Sequence, residues 1–277
     1  MYKFASVSPV VLLATASFSL LPIISLLADE LPQNIQSSLT LLGNTGTKPT
    51  CEPTKFVGEP FFTVETILQN QTRDYTFDSA GVPVNIQVFR EELPTPVELV
   101  LQQELNDTTA IASISRSFES GEPVFEIELR SNNTDRLLIV NPDGRIIARE
   151  IPPSALPNRV QKGIQKNLGA LQIDKVLQCK ENDSTYFTIG LLNGDFSKWV
   201  TVDDSGTFSE QEERVSITAV PAPVRTSILN KAGANEHLRI LRKVVSNDVF
   251  FEIWILQAQK VEFFWVDSSG TMSLEHP

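Results

Sequence analysis

With 277 residues, 41% of them hydrophobic and 21% charged, the chain has the make-up of an ordinary globular protein large enough for two or more cores. Lysine and arginine number 23 against 34 aspartates and glutamates, a formal net charge of −11, and no basic cluster occurs. That excludes nucleic acid as a natural partner, because phosphate binding needs concentrated positive charge.

At the N-terminus Tyr2-Lys3 is followed by an apolar run from Val10 to Ala28, broken by Pro22 and closed by Asp29-Glu30. This is a secretory leader pattern, so residues 1–28 are expected to be a signal peptide. Left uncleaved, the run of 19 residues is long enough to anchor the chain in a membrane, which is the only membrane contact expected. On either reading the remainder is exported, to the periplasm, the cell envelope or the outside. No cysteine ends the run, which argues against a lipid-anchored form.

Beyond the leader the sequence repeats. A proline after an apolar residue falls at Pro32, Pro94, Pro157 and Pro221, at steps of 62, 63 and 64 residues. An aromatic residue of a strand-like stretch falls at Phe62, Phe125, Phe187 and Phe251, and turn glycines at Gly81, Gly144, Gly206 and Gly270, at nearly the same steps. GEPFFTVE from Gly58 lies over GEPVFEIE from Gly121. These three rulers predict four tandem modules, at 29–90, 91–153, 154–217 and 218–277, each marginal alone and so expected to pack on its neighbours.

The first module diverges, with TKPTCEPTKF at Thr47 to Phe56 where the others show their first strand, and reads as incomplete. The second is the clearest. Leu93-Pro94-Thr95-Pro96 opens a helix whose Val97, Val100, Leu101 and Leu105 make one apolar stripe, ended by Asn106-Asp107-Thr108-Thr109. The period then changes to two, predicting strands at Ile111 to Phe118, Val124 to Leu129 and Leu137 to Val140, with a short fourth strand from Ile146. The joint from Gly144 to Ile164 closes that module and opens the third, whose helix carries Val160, Ile164 and Leu168 on one face.

The closing turns FDSAG, VNPDG, VDDSG and VDSSG, at Phe77, Val140, Val202 and Val266, carry acidic residues. A calcium loop would need several alternating acidic ligands and a distal glutamate, so these are read as hairpin turns and no metal is expected. Catalytic material is scarce: two histidines, His237 and His276, no Gly-x-Ser-x-Gly elbow, no zinc spacing and no phosphate-binding glycine loop. Neither an enzyme nor a cofactor is expected. Cys51 and Cys179 form a disulfide if the exported chain oxidises them; two separate thiols are an equal alternative, because the repeat frame does not place them at matching positions.

The recurrent pattern of LPxxV opening a helix, alternating apolar strands and a closing VDxxG hairpin, best seen in IPPSALPNRVQKGI at Ile151 to Ile164, resembles the PepSY and PepSY-like modules of exported bacterial proteins, including the β-lactamase-inhibitor-like group. The resemblance implies an α+β fold in which each of the four modules is one helix packed on a three- to four-stranded antiparallel sheet. It also implies no catalytic residues and the binding of other proteins, often inhibitory.

The repeat frame puts Trp254 over Glu128, Trp265 over Ile139, and Phe263 and Trp199 over Leu137, all on the strand phase away from the helix. Tryptophan is enriched at the energetic centre of interfaces, so Trp254, Phe263, Trp265 and Trp199 are the candidate contact residues for a protein or peptide of the envelope. Burial of those faces against a neighbouring module is the competing expectation. The expected function is accordingly an exported, non-catalytic binding protein, with inhibition of a protease or other enzyme as one form, and the alternative is a structural envelope repeat protein without a specific ligand.

Overall fold

The structure, a computed structural model, describes residues 31–42 and 50–274 except for the connections at 57–58, 69–70, 120–121, 133, 169–171, 182–183, 194–195, 234–236, 246 and 258–259. The leader at 1–28 and His276 lie outside the described residues. Two compact units divide the chain: 31–84 and 210–274 make the first, and 85–209 make the second.

Among the described residues four helices and sixteen strands alternate in a fixed order. Helix α1 (Gln33–Leu41) precedes β1 (Thr50–Phe56), β2 (Glu59–Leu68), β3 (Gln71–Asp78) and β4 (Pro83–Gln87). Helix α2 (Thr95–Glu104) precedes β5 (Thr109–Glu119), β6 (Glu122–Ser131), β7 (Thr134–Val140) and β8 (Ile146–Glu150). Helix α3 (Asn158–Leu168) precedes β9 (Gln172–Glu181), β10 (Ser184–Asn193), β11 (Phe196–Asp203) and β12 (Phe208–Arg214). Helix α4 (Ala222–Ala232) precedes β13 (Leu238–Val245), β14 (Asp248–Gln257), β15 (Lys260–Asp267) and β16 (Met272–Ser273). No helix among the described residues is long and apolar enough to cross a membrane.

The repeated prolines start the helices. Pro32, Pro94 and Pro221 occupy the N-cap positions of α1, α2 and α4, where a missing N–H costs nothing. Their carbonyls, with that of Pro157, accept the first helical N–H bonds, from Ile35, Val97, Arg225 and Gln161. Each helix then buries a pair four residues apart: Ile35 and Leu39, Val97 and Leu101, Val160 and Ile164, Val224 and Ile228. Each such side chain contributes roughly 1.5–3 kcal/mol by leaving water. In the second unit α2 packs on Phe125, Ile127 and Leu138, and α3 on Phe187, Ile189 and Val200. In the first unit α4 packs on Phe251, Ile253 and Phe264.

The expectation of four separate helix-on-sheet modules is overturned by the strand order. All sixteen strands are hydrogen-bonded in chain order, β1 to β16, as one antiparallel sheet. The closing strand of one copy pairs with the opening strand of the next: Ile86 with Arg116, Ala148 with Cys179, and Glu212 with Lys243. A module ending at its fourth strand would leave a row of bare N–H and C=O groups, and the neighbouring copy supplies their partners. The stretch Thr47 to Phe56 is also not a missing strand. Within it β1 pairs with β2 along its whole length, Pro53 opposite Phe62, and stands first in the strand order, where a proline that cannot donate is tolerated.

The closing turns pack under the helices. Gly206, at φ +93°, lies so close to α3 that a Cβ there would stand 2.5 Å from the Arg159 carbonyl oxygen. Gly270 meets the Pro223 carbonyl in the same way at 2.9 Å. The acidic residue before each glycine is occupied by its own turn: Asp203 Oδ1 accepts the N–H groups of Ser205 and Thr207 at 2.9 and 2.8 Å, and Asp267 Oδ1 those of Ser269 and Thr271 at 2.8 and 2.9 Å.

Candidate functional site

In the first unit, the face of β12 to β15 turned away from α4 is polar and closed to solvent. Strand alternation puts Ile240, Phe251, Ile253, Phe264 and Val266 on the helix side, and Lys243, Glu252, Trp254 and Trp265 on the other. At its centre the Lys243 ammonium is 0% exposed, with Glu252, Glu212 and Glu210 oxygens at 2.6, 3.0 and 3.6 Å. Register delivers these neighbours, since Glu212 lies opposite Lys243 across β12 and β13. Trp265, opposite Glu252, presents its ring 5.0 Å from the ammonium. Trp254 Nε1 donates to Glu252 Oε1 at 2.7 Å.

Three carboxylates share one ammonium, and the titrations reflect it. Burial alone would push the Lys243 ammonium down, but Glu252, Glu212 and Glu210 together hold it well above the usual lysine range. For Glu212 burial is the leading cause and works against the charge. Lys243 offsets it, Glu252 and Glu210 reinforce it, and the carboxyl is raised to about 7. Both shifts favour the proton-bound form of the cluster.

A second set of contacts ties the last strands of this unit to its first. Asp78, at the end of β3 and wholly buried, meets Arg214 of β12 at 3.2 Å and Arg239 of β13 at 3.5 Å. Arg239 lies 5.9 Å from the ring centres of both Phe61 and Trp254. His237 Nδ1 stands 3.1 Å from Ser38 Oγ of α1 and 3.1 Å from the Ala80 carbonyl oxygen. With a carbonyl as one neighbour, that nitrogen carries the proton. Ser38 Oγ in turn donates to the Gly81 carbonyl, so the serine and histidine fasten a helix to a turn.

The sequence-predicted contact residues separate into two places. Trp254, Phe263 and Trp265 come together: Trp254 and Phe263 are cross-strand partners with ring centres 4.8 Å apart in a T-shaped contact. Trp254 is 2% exposed, Trp265 3%, and Phe263 partly exposed at their margin. Trp199 belongs to the second unit, 8% exposed, its ring against Gly190, the residue opposite it on β10. All three tryptophans are therefore buried. Cys179 is buried, its sulfur 3.8 Å from Thr188 Oγ1, and the Cys51 side chain lies outside the described residues.

Sequence reasoning missed Lys243 and its three glutamates, because isolated charges on an outward strand phase read as a solvated face. The available signal was composition: opposite charges and two tryptophans share that one phase on adjacent strands, which suits an interior better than a surface. The second unit carries a buried glutamate at the matching place. Glu126 occupies the position of Glu252 one double repeat earlier and accepts from Ser117, at the position of Lys243, and from Asn85 at 3.4 Å. Among the described residues no group of three or more histidine, cysteine, aspartate or glutamate side chains is placed to hold a metal.

No family model matches the chain, and no curated protein matches it in sequence. Among solved structures, it is similar to a Bacteroides eggerthii DSM 20697 protein described as periplasmic, at 13% identity and a TM-score of 0.34 over 43% of this chain and 87% of that one. It is also similar to DUF2874 family proteins of Bacteroides uniformis ATCC 8492 and Bacteroides ovatus ATCC 8483. The first has 14% identity and a TM-score of 0.34, covering 43% of this chain and 87% of that one. The second has 15% identity and a TM-score of 0.32, covering 43% of this chain and 85% of that one.

Proposed function

We propose that the protein is an exported, non-catalytic structural protein of the cell envelope, built to present a stable body rather than a reaction centre. One observation carries this reading: the groups best suited to chemistry or to gripping a partner, namely His237, Lys243, Glu212, Trp254 and Trp265, are all buried. A general base must reach a proton on a substrate, and His237 instead holds Ser38 and the Ala80 carbonyl. The leader pattern at 1–28 supports export.

A second reading, an exported protein that binds or inhibits another protein, draws on the PepSY-like motifs and on Phe263, which stays partly exposed beside Trp254. One experiment separates the two. The full chain, tagged at its C-terminus, is expressed in a bacterial host, fractionated and cross-linked in the envelope. The structural reading expects processing of the leader, recovery outside the cytoplasm and the same cross-linked set for wild type and Phe263→Ala. Cytoplasmic retention overturns export; one stoichiometric partner lost specifically in Phe263→Ala overturns the structural reading in favour of binding.

A further inference from the structure

The Lys243 cluster holds more acid than base. Glu210 and Glu212 reach it from β12, Lys243 from β13 and Glu252 from β14, while β15 contributes the uncharged Trp265. The remaining charges of these strands lie elsewhere: Arg214 and Arg239 meet Asp78 of β3, Arg242 meets Glu213, Glu262 meets Lys231 of α4, Asp267 accepts from its own turn, and Asp248 and Lys260 are exposed. Glu65 and Asp74, on β2 and β3, are exposed. Fully ionised, the four cluster groups would bury a net charge of −2, and both Glu210 oxygens lack a hydrogen-bond donor among the described residues. An uncompensated buried carboxylate costs several kcal/mol, whereas a carboxylic acid can donate to a neighbouring carboxylate.

We propose that this cluster is a proton-linked latch: the closed unit keeps one proton among Glu210, Glu212 and Glu252, and releases it when β12 parts from β13. The proton sits on a carboxyl oxygen and bonds to a neighbouring carboxylate, which leaves the cluster one charge closer to neutral. Burial, reinforced by Glu252 and Glu210 and opposed by Lys243, raises the Glu212 carboxyl to about 7. Acid therefore closes the first unit and alkali loosens it, a response matched to an exported protein that meets external pH directly.

Infrared spectroscopy of the full chain tests this. Wild type is expected to show a protonated-carboxyl band at about pH 6 that fades by about pH 8.5 and is lost in Glu212→Gln. In parallel, the urea midpoint of wild type falls over that range, and Glu212→Gln flattens the fall. Glu210→Gln provides a second variant should Glu212→Gln fold poorly, and it too flattens the fall. A wild-type spectrum without such a band near neutral pH, or a midpoint whose pH dependence is unchanged in both variants, overturns the latch.

Discussion

Lys243 and Glu252 meet at 2.6 Å with neither side chain reached by solvent, on strands whose opposite faces form the apolar core under α4. A buried pair of this kind holds the fold by penalty: removing one partner strands the others. Lys243→Met keeps the length and apolar stem but leaves three carboxylates without a cation. The expected loss is about 3–5 kcal/mol near neutral pH, read as a lower urea midpoint, and part of it is recovered in acid. A loss below about 1 kcal/mol at neutral pH would mean that the ammonium is solvated.

The pH response of wild type has two limbs of opposite sign. Glu212 has a folded-state value of about 7, above its ordinary 4.5, so its contribution is complete below about 4.5 and is lost as pH rises through about 7. Glu104 of α2 is held below its usual range, first by the Arg149 guanidinium and then by Arg136. Burial pushes Asp203 up, but the Ser205 hydroxyl and the turn N–H groups outweigh it and leave it lowered. Those two contribute above their ordinary values and lose that contribution as pH falls through the depressed ones. Thermal denaturation is expected to show greatest stability in mildly acidic solution, and a maximum above about pH 8 would contradict the assignment.

Helix burial makes a sharp local contrast. Leu101 is fully buried on α2 and Leu99, two residues away, is 54% exposed. Leu101→Ala is expected to cost about 2–5 kcal/mol, and Leu99→Ala less than about 0.5 kcal/mol, by chemical denaturation.

The turn glycines offer a paired comparison. Gly206→Ala meets both a left-handed φ and the Arg159 carbonyl, whereas Gly233→Ala, at φ +64°, meets nothing within 4 Å. The backbone term of about 1–3 kcal/mol applies to both. A clearly larger loss at Gly206 is expected, and equal losses would mean that the turn does not bear on the helix.

Much of this was legible in the sequence for local reasons. Pro94 before a helix, the alternation around Phe125, and Asp203-x-x-Gly206 each act within a few residues, so their recurrence at about sixty-three residues marks where elements begin. The joining of sheets was not legible, because the pairing of Ala148 with Cys179 spans a helix and leaves no short-range pattern. Nor was the return of His237 to Ser38, 199 residues apart in sequence. The outward phase of Trp254 and Trp265 follows from strand alternation; what covers that phase depends on contacts at long separation, such as the ion pair of Lys243 with Glu252.

The claim on which the rest depends is that the sheet face carrying Lys243, Trp254 and Trp265 is interior. Collisional quenching of tryptophan fluorescence by acrylamide in the monomeric chain, freed of its leader, tests it directly. Quenching slopes several-fold below those of the same chain in denaturant are expected, since Trp199, Trp254 and Trp265 are all buried. Slopes approaching the denatured values would place these rings in solvent and contradict the claim.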